Sequence, residues 1–244
     1  MSLLSTVKTD ENIQEAKDTL GSGRYIYPSD VYQATVKLAY LDKAASGAIS
    51  FNIVAAIGDK EYKEALYITN KNGENFYVDK DKNKHYLAGF LHADGICLLT
   101  TGKSVLELAT EKKIVKLYNY KAKQELPTEV EVFTDLVGKE IQIAILESKE
   151  YKSVKQDDGT YVPTSEVMQR NSIEKVFHAA HGKTVAECRA KAEKAEFIDE
   201  WKNTWAGNVR DKTKGVTPAV NNGTAGAPTG AAPISAPSGS SLFN

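Results

Sequence analysis

Between Val31 and Thr69 the chain reads VYQATVKLAYLDKAASGAISFNIVAAIGDKEYKEALYIT, three consecutive segments in which apolar and polar positions alternate. Tyr32, Ala34, Val36, Leu38 and Tyr40 fall on one side of the first segment. Ile49, Phe51, Ile53, Ala55 and Ile57 do so in the second, and Tyr62, Glu64, Leu66 and Ile68 in the third. A period of two with one apolar side is the pattern of a half-buried antiparallel strand. DKAASG and GDKE are short enough for hairpin connections, and each carries a glycine for a positive φ. The stretch therefore predicts a three-stranded meander. Its apolar side covers a core, and its polar side presents Lys37, Asn52, Lys63 and Tyr67.

On either side the pattern changes. Residues 1–20 are polar with a weak helical repeat at Ile13, Ala16 and Leu20, read as an N-terminal arm, and LGSGRYIYPSD follows as a loop. After the meander, Asn72-Gly73 predicts a turn with Asn75–Val78 as its return arm, and DKDKNKHY reads as a solvated loop. LAGFLHADGICLLT predicts a short buried helix interrupted near Gly95, with a further helical turn over Ser104–Leu108. Strands are predicted over Ile114–Tyr120, Thr128–Phe133 and Lys139–Lys152, the last with Ile141, Ile143 and Ile145 on one face. Asp158-Gly159 then marks a hairpin returning through TYVPT. Thr184 with Glu187 is a capping-box pair, and the apolar repeat after it predicts one helix from Val185 to about Trp205. Beyond Thr213 the chain is rich in Gly, Pro, Ala and Ser, too poor in apolar bulk to fold, and ends near Leu242-Phe243.

Strands, an inserted helix, then further strands fit a mainly β protein: an OB-type Greek-key β-barrel with extra hairpins and a C-terminal helix. Another β-barrel or a sandwich would give the same coarse pattern. The domain reading is an arm over 1–20, one domain over 21–212, and a disordered tail over 213–244.

Composition narrows function more than fold. A formal net charge of -1 argues against a strongly basic, non-specific nucleic-acid binder, although a local basic groove remains compatible with it. No N-terminal secretory pattern is evident, and no apolar run approaches the roughly 20 residues that span a bilayer. A cytosolic setting is expected, with no membrane partner. Cys97 and Cys188 are the only cysteines, and both read as buried thiols in helices. His178 and His181 (HAAH) could share one side of a helix, but the chain offers no further ligand pattern beside them. GxSxG, Walker-loop and clustered strand-end carboxylate signatures are absent, so a non-enzymatic role without cofactor or metal is expected.

A binder of single strands needs cations for phosphates and aromatic faces for bases. The residues that supply them are Arg24, Tyr25 and Tyr27 before the meander, and Lys37, Asn52, Lys63 and Tyr67 on it. Phe76, Tyr77, Lys80, Lys82 and Lys84 follow it. The same tyrosines are also ordinary β-strand residues. A docking module using the same barrel, with the tail as its peptide, is the alternative.

The segments YQATVKLAYLDKAASGAISFNIV, EALYITNKNGENFYV, GFLHADGICLLTTGK, VKLYNYKAKQELPTEVEVFTDLVGKEI, NSIEKVFHAAHGKTVAEC and EFIDEWKNTWAGNVRDKTKG together resemble bacteriophage-encoded single-stranded DNA-binding proteins of the OB-fold kind. The resemblance spans roughly residues 20 to 215. It implies coating of single-stranded DNA during phage replication or recombination in the cytoplasm of an infected bacterium. It also implies recruitment of phage or host replication and recombination proteins through the tail. Such proteins often end in an acidic tail with a terminal Phe; this tail has Phe243 but no acidic residue.

Overall fold

The computed structural model describes residues 25–119, 122–157 and 160–218. The expected arm over 1–20, Arg24, the Asp158-Gly159 turn and the tail from residue 219 onward lie outside them. By internal contacts the chain divides into two units, one of residues 1–149 with 169–211 and one of 150–168 with 212–244. None of the helices among the described residues is long and apolar enough to cross a membrane.

The meander forms as its alternation predicts. β1 (Asp30–Lys43), β2 (Ile49–Ile57) and β3 (Lys60–Tyr67) pair antiparallel in sequence order. The two connections turn at Gly47 (φ 93°) and Gly58 (φ 59°), conformations that cost a residue with a Cβ. On β2 and β3 the expected apolar positions Phe51, Ile53, Ala55, Tyr62, Leu66 and Ile68 are buried. On β1 the alternation breaks. A bulge between Val36 and Leu38 adds a residue, so the inward set switches from Ala34 and Val36 to Ala39, and Leu38 turns partly outward. Reading β1 as one unbroken period put Leu38 and Tyr40 on the wrong side.

The bulge lets one long strand serve two partners. Asp30 to Thr35 pair with β8 (Glu140–Lys155), and Tyr40 and Leu41 pair with β7 (Gln124–Val132), while β2 holds the other edge. β6 (Glu111–Asn119) pairs with β7, β9 (Tyr161–His178) with β8, and the short β10 (Val209–Asp211) runs parallel to β8. The result is mainly β and mostly antiparallel, along the path β10-β8-β1-β2-β3. It does not close: among the described residues β3 pairs only with β2 and β6 only with β7, so the expected closed barrel is replaced by an open sheet.

α1 (Ala88–Thr101) packs Phe90, Ala93, Ile96 and Cys97 into the core formed by the inner faces of these strands. It is uninterrupted at Gly95, whose missing Cβ makes room instead: one built there would lie 2.8 Å from the Val176 Cγ2. β8 is covered on both faces. Ile141, Ile143 and Ile145 join the main core, while Ala144 and Leu146 pack with Phe177 and Trp201 in a second cluster.

Three further expectations change. Phe76–Val78 (β4) pairs with Lys84–Tyr86 (β5) as a separate two-stranded sheet, so the Asn72-Gly73 turn does not close a hairpin onto β3 and part of the presumed loop is a strand. The single C-terminal helix is two, α2 (Val185–Arg189) and α3 (Phe197–Trp205). Lys191 at φ 52° turns the chain out of the first, and Glu187 caps both. Cys97 is buried and burial pushes its thiol up to about 12, but Cys188 is exposed because α2 ends immediately after it.

In the second unit, Lys152 pairs with Glu166 at 3.0 Å and its carbonyl accepts from the Thr164 hydroxyl at 2.9 Å. Lys212 lies 3.8 Å from Glu150.

Candidate nucleic-acid interface

The outer face of the meander is laid out by strand register. Ser50 stands opposite Tyr67, Asn52 opposite Ala65 and Tyr40, and Val54 opposite Lys63 and Leu38. Lys63 and Tyr67 are therefore on one face of an edge strand, with Asn52 on the neighbouring strand between their rows. Asn52 donates to the Ser50 hydroxyl at 3.0 Å and to its carbonyl at 3.3 Å. Lys37 stands exposed at the bulge of β1. Lys63 is 3.1 Å from Glu61, and both side chains are solvent-exposed. Such a surface pair is worth about 0–1 kcal/mol, so exchanging the carboxylate for a phosphate costs little.

Tyr67 closes the strand with its ring 52% exposed and has no ring contact among the described residues. Its backbone is held tightly. A Cβ built on Gly89 would come within 2.3 Å of the Tyr67 carbonyl oxygen, so only a glycine lets the first turn of α1 approach β3 this closely. The β4–β5 hairpin is anchored just before that point, where the Leu87 N–H donates to the Asn75 carbonyl at 2.9 Å. The hairpin thus springs from the Tyr67 end of the meander.

Within the hairpin, Asp79 organises the turn. One of its carboxylate oxygens accepts from the Asp81 and Asn83 N–H groups at 2.9 and 2.8 Å, and the other lies 2.7 Å from the His85 Nε2. The His85 contact, followed by these backbone bonds, holds the Asp79 carboxyl below its usual range. Tyr77 stacks on His85 with centroids 5.4 Å apart and is 52% exposed. The Lys84 ammonium sits 4.6 Å from the centre of the Phe76 ring. Lys80 and Lys82 project from the turn, Lys82 at φ 66°. The hairpin carries the rings of Phe76, Tyr77 and Tyr86 and the cations Lys80, Lys82 and Lys84.

The opposite end of β3 carries a second pair. Tyr25 is half exposed, with the Lys60 ammonium 3.6 Å from its ring centre. β3 spans about 23 Å between these ends at about 3.3 Å per residue. Tyr27 does not belong to the face. It is only 5% exposed, packed edge-on against Tyr25, Tyr32 and Tyr62. The Asn171 amide both accepts from its N–H and donates to its carbonyl, each at 2.7 Å. A buried side chain clamping its backbone makes Tyr27 a core residue, which corrects its place among the candidates. Sequence reading missed His85, which lies in the DKDKNKHY stretch read as a solvated loop.

His178 and His181 are not on a helix. They flank the turn after β9 with rings stacked 3.7 Å apart at an interplanar angle of 4°. Each Nδ1 accepts a backbone N–H, from Ala180 and Lys183 respectively, so these two nitrogens face the chain rather than a ligand. No group of three or more metal-ligating side chains occurs among the described residues.

The candidate interface is therefore an exposed strip of Lys63 with Lys37 and Asn52 on the outer face of the sheet, then Tyr67 and the hairpin, whereas Tyr25 and Lys60 lie at the far end of β3 with Lys60 on the side of Tyr62. No family model, no curated protein and no solved structure matches this chain.

Proposed function

We propose that this strip binds single-stranded DNA without sequence preference and without catalysis. The observation that carries the reading is Tyr67, an open aromatic face at a strand end, flanked by Lys63 on the same face and by the Lys- and aromatic-bearing hairpin. Cations that neutralise phosphates release counterions, and aromatic rings stack bases of any identity. The order of elements supports the reading too: a meander, a helix, then strands returning to β1 is the order of an OB-type fold, whose second and third strands commonly carry oligonucleotides. The biological setting we infer is phage DNA replication or recombination in a bacterial cytoplasm, with phage or host proteins recruited through the tail.

The test is fluorescence anisotropy of labelled oligo-dT beside a matching duplex, at low and moderate salt. The expected result is preference for the single strand, weakening with salt. Tyr67→Ala should weaken binding by about 1–3 kcal/mol, roughly 5- to 150-fold, with the melting temperature nearly unchanged. No binding of either DNA at micromolar protein and low salt removes this reading and leaves the non-enzymatic docking module in its place.

A further inference from the structure

Away from that strip, α1 and α2 border an open cleft of about 680 Å³, with the inner end of β9 and Phe197 completing its walls. Its apolar floor is a helical stripe. Ala88, Leu91 and Leu98 recur at helical spacing along α1, over about 15 Å of helix axis, and Leu91 is 52% exposed. Val185 and Phe197 line the cleft together with the stripe. A second cleft of about 510 Å³ shares Leu98, Val185 and Arg189 with the first. Apolar lining of this extent with a few charges at its rim is the composition of a binding site.

The charges are not balanced. Every carboxylate of the cleft already has partners. Asp94 accepts from the Ser104 hydroxyl and the Val105 N–H, and Glu174 pairs with Arg210 at 2.9 Å. Glu187 accepts four hydrogen bonds, three from backbone N–H groups and one from the Thr184 hydroxyl. His92 donates to the Glu174 carbonyl at 3.0 Å. Two cations remain, and neither Arg189 nor Lys175 has a carboxylate partner among the described residues. Arg189 ends α2, and Lys175 stands 5.3 Å over the Phe197 ring. An occupant that complements this cleft is apolar along one side and acidic at the positions facing Arg189 and Lys175.

We propose that the cleft docks a short amphipathic segment of a partner protein, leucine- or phenylalanine-rich on one face and bearing Asp or Glu. The length of the stripe fits about three turns of a partner helix. Apolar contact with Leu91, Leu98, Val185 and Phe197 supplies affinity, and the two cations fix orientation and exclude basic segments.

The experiment uses the full chain and a labelled peptide set: helical peptides of leucine, phenylalanine and aspartate, the same peptides with lysine for aspartate, and scrambled controls. Expected is saturable anisotropy binding of the acidic set only, weakened at least tenfold by Arg189→Glu and by Leu91→Asp. Arg189→Glu with Lys175→Glu should gain affinity for the lysine set. Both cations are exposed, so these variants keep the fold, which circular dichroism verifies. Absence of binding by every peptide, or binding indifferent to Arg189, Lys175 and Leu91, overturns the proposal. So does sedimentation showing self-association that Leu91→Asp abolishes, which assigns the cleft to a second copy. Loss of oligo-dT affinity in Arg189→Glu, with no peptide effect, assigns it to nucleic acid and overturns it as well.

Discussion

Replacing Glu187 by Ala uncaps two helices at once. Its carboxylate accepts from the Thr184 N–H at 2.7 Å and hydroxyl at 2.9 Å, and from the Glu196 and Phe197 N–H groups at 2.8 and 3.0 Å. The first pair belongs to the capping box of α2, and the second lies at the start of α3, whose own N-cap residue makes no side-chain cap. A lost cap costs about 1 kcal/mol, so two cost about 2 kcal/mol, with water replacing part of the bonding at this half-exposed site. For a chain of this size that is a fall in melting temperature of about 4–8 °C. The acid dependence follows from the same bonds. Despite partial burial, backbone and Thr184 hydrogen bonds hold the Glu187 carboxyl at about 2, well below the usual carboxylate range. A depressed carboxylate stabilises fully above its unfolded value and loses that contribution as pH falls through the folded one. Circular-dichroism melts of both proteins should therefore differ most near neutral pH and converge toward about pH 2. A difference under about 1 °C near neutrality, or one undiminished in acid, refutes the double-cap account.

Other consequences are equally direct. Gly89→Ala puts a Cβ within 2.3 Å of the Tyr67 carbonyl oxygen. It should cost about 1–3 kcal/mol in thermal melts and also weaken oligo-dT binding, because α1 and the end of β3 must separate. Gly95→Ala meets the Val176 side chain at 2.8 Å instead, so melts should show a smaller loss, with DNA affinity unchanged. Burial pushes the His92 imidazole below 6.5, so the unfolded chain takes up its proton first and stability falls as pH drops below about 6.5. His92→Gln should flatten that slope in melts taken across the weakly acidic range, and an unchanged slope would place the titration elsewhere.

What the sequence determined by itself is local. The alternation in Phe51, Ile53 and Ala55, and in Tyr62, Leu66 and Ile68, specifies strands whose inner faces are buried, because the pleat alternates whatever the strand packs against. The Thr184–Glu187 pair specifies a helix start for the same kind of reason: both bonds close within four residues. The exposed cations and rings of the strip, Lys63, Tyr67 and Tyr77, also follow from strand parity. The tertiary structure decided what depends on distant partners. Tyr27 looks like its neighbour Tyr25 in sequence, but the Asn171 clamp comes from β9 and takes it into the core. The bulge at Lys37 answers the need of β1 to pair with both β8 and β7, neither of which is local. Glu187 ends one helix and begins another only because the chain folds back at Lys191 to present the N–H groups of Glu196 and Phe197. The hairpin stands at the Tyr67 end of the sheet because Gly89 admits α1 there, a steric permission that a lone glycine in a helix does not announce. Periodicity records which way a side chain points; what it then meets is set by chain segments brought together only on folding.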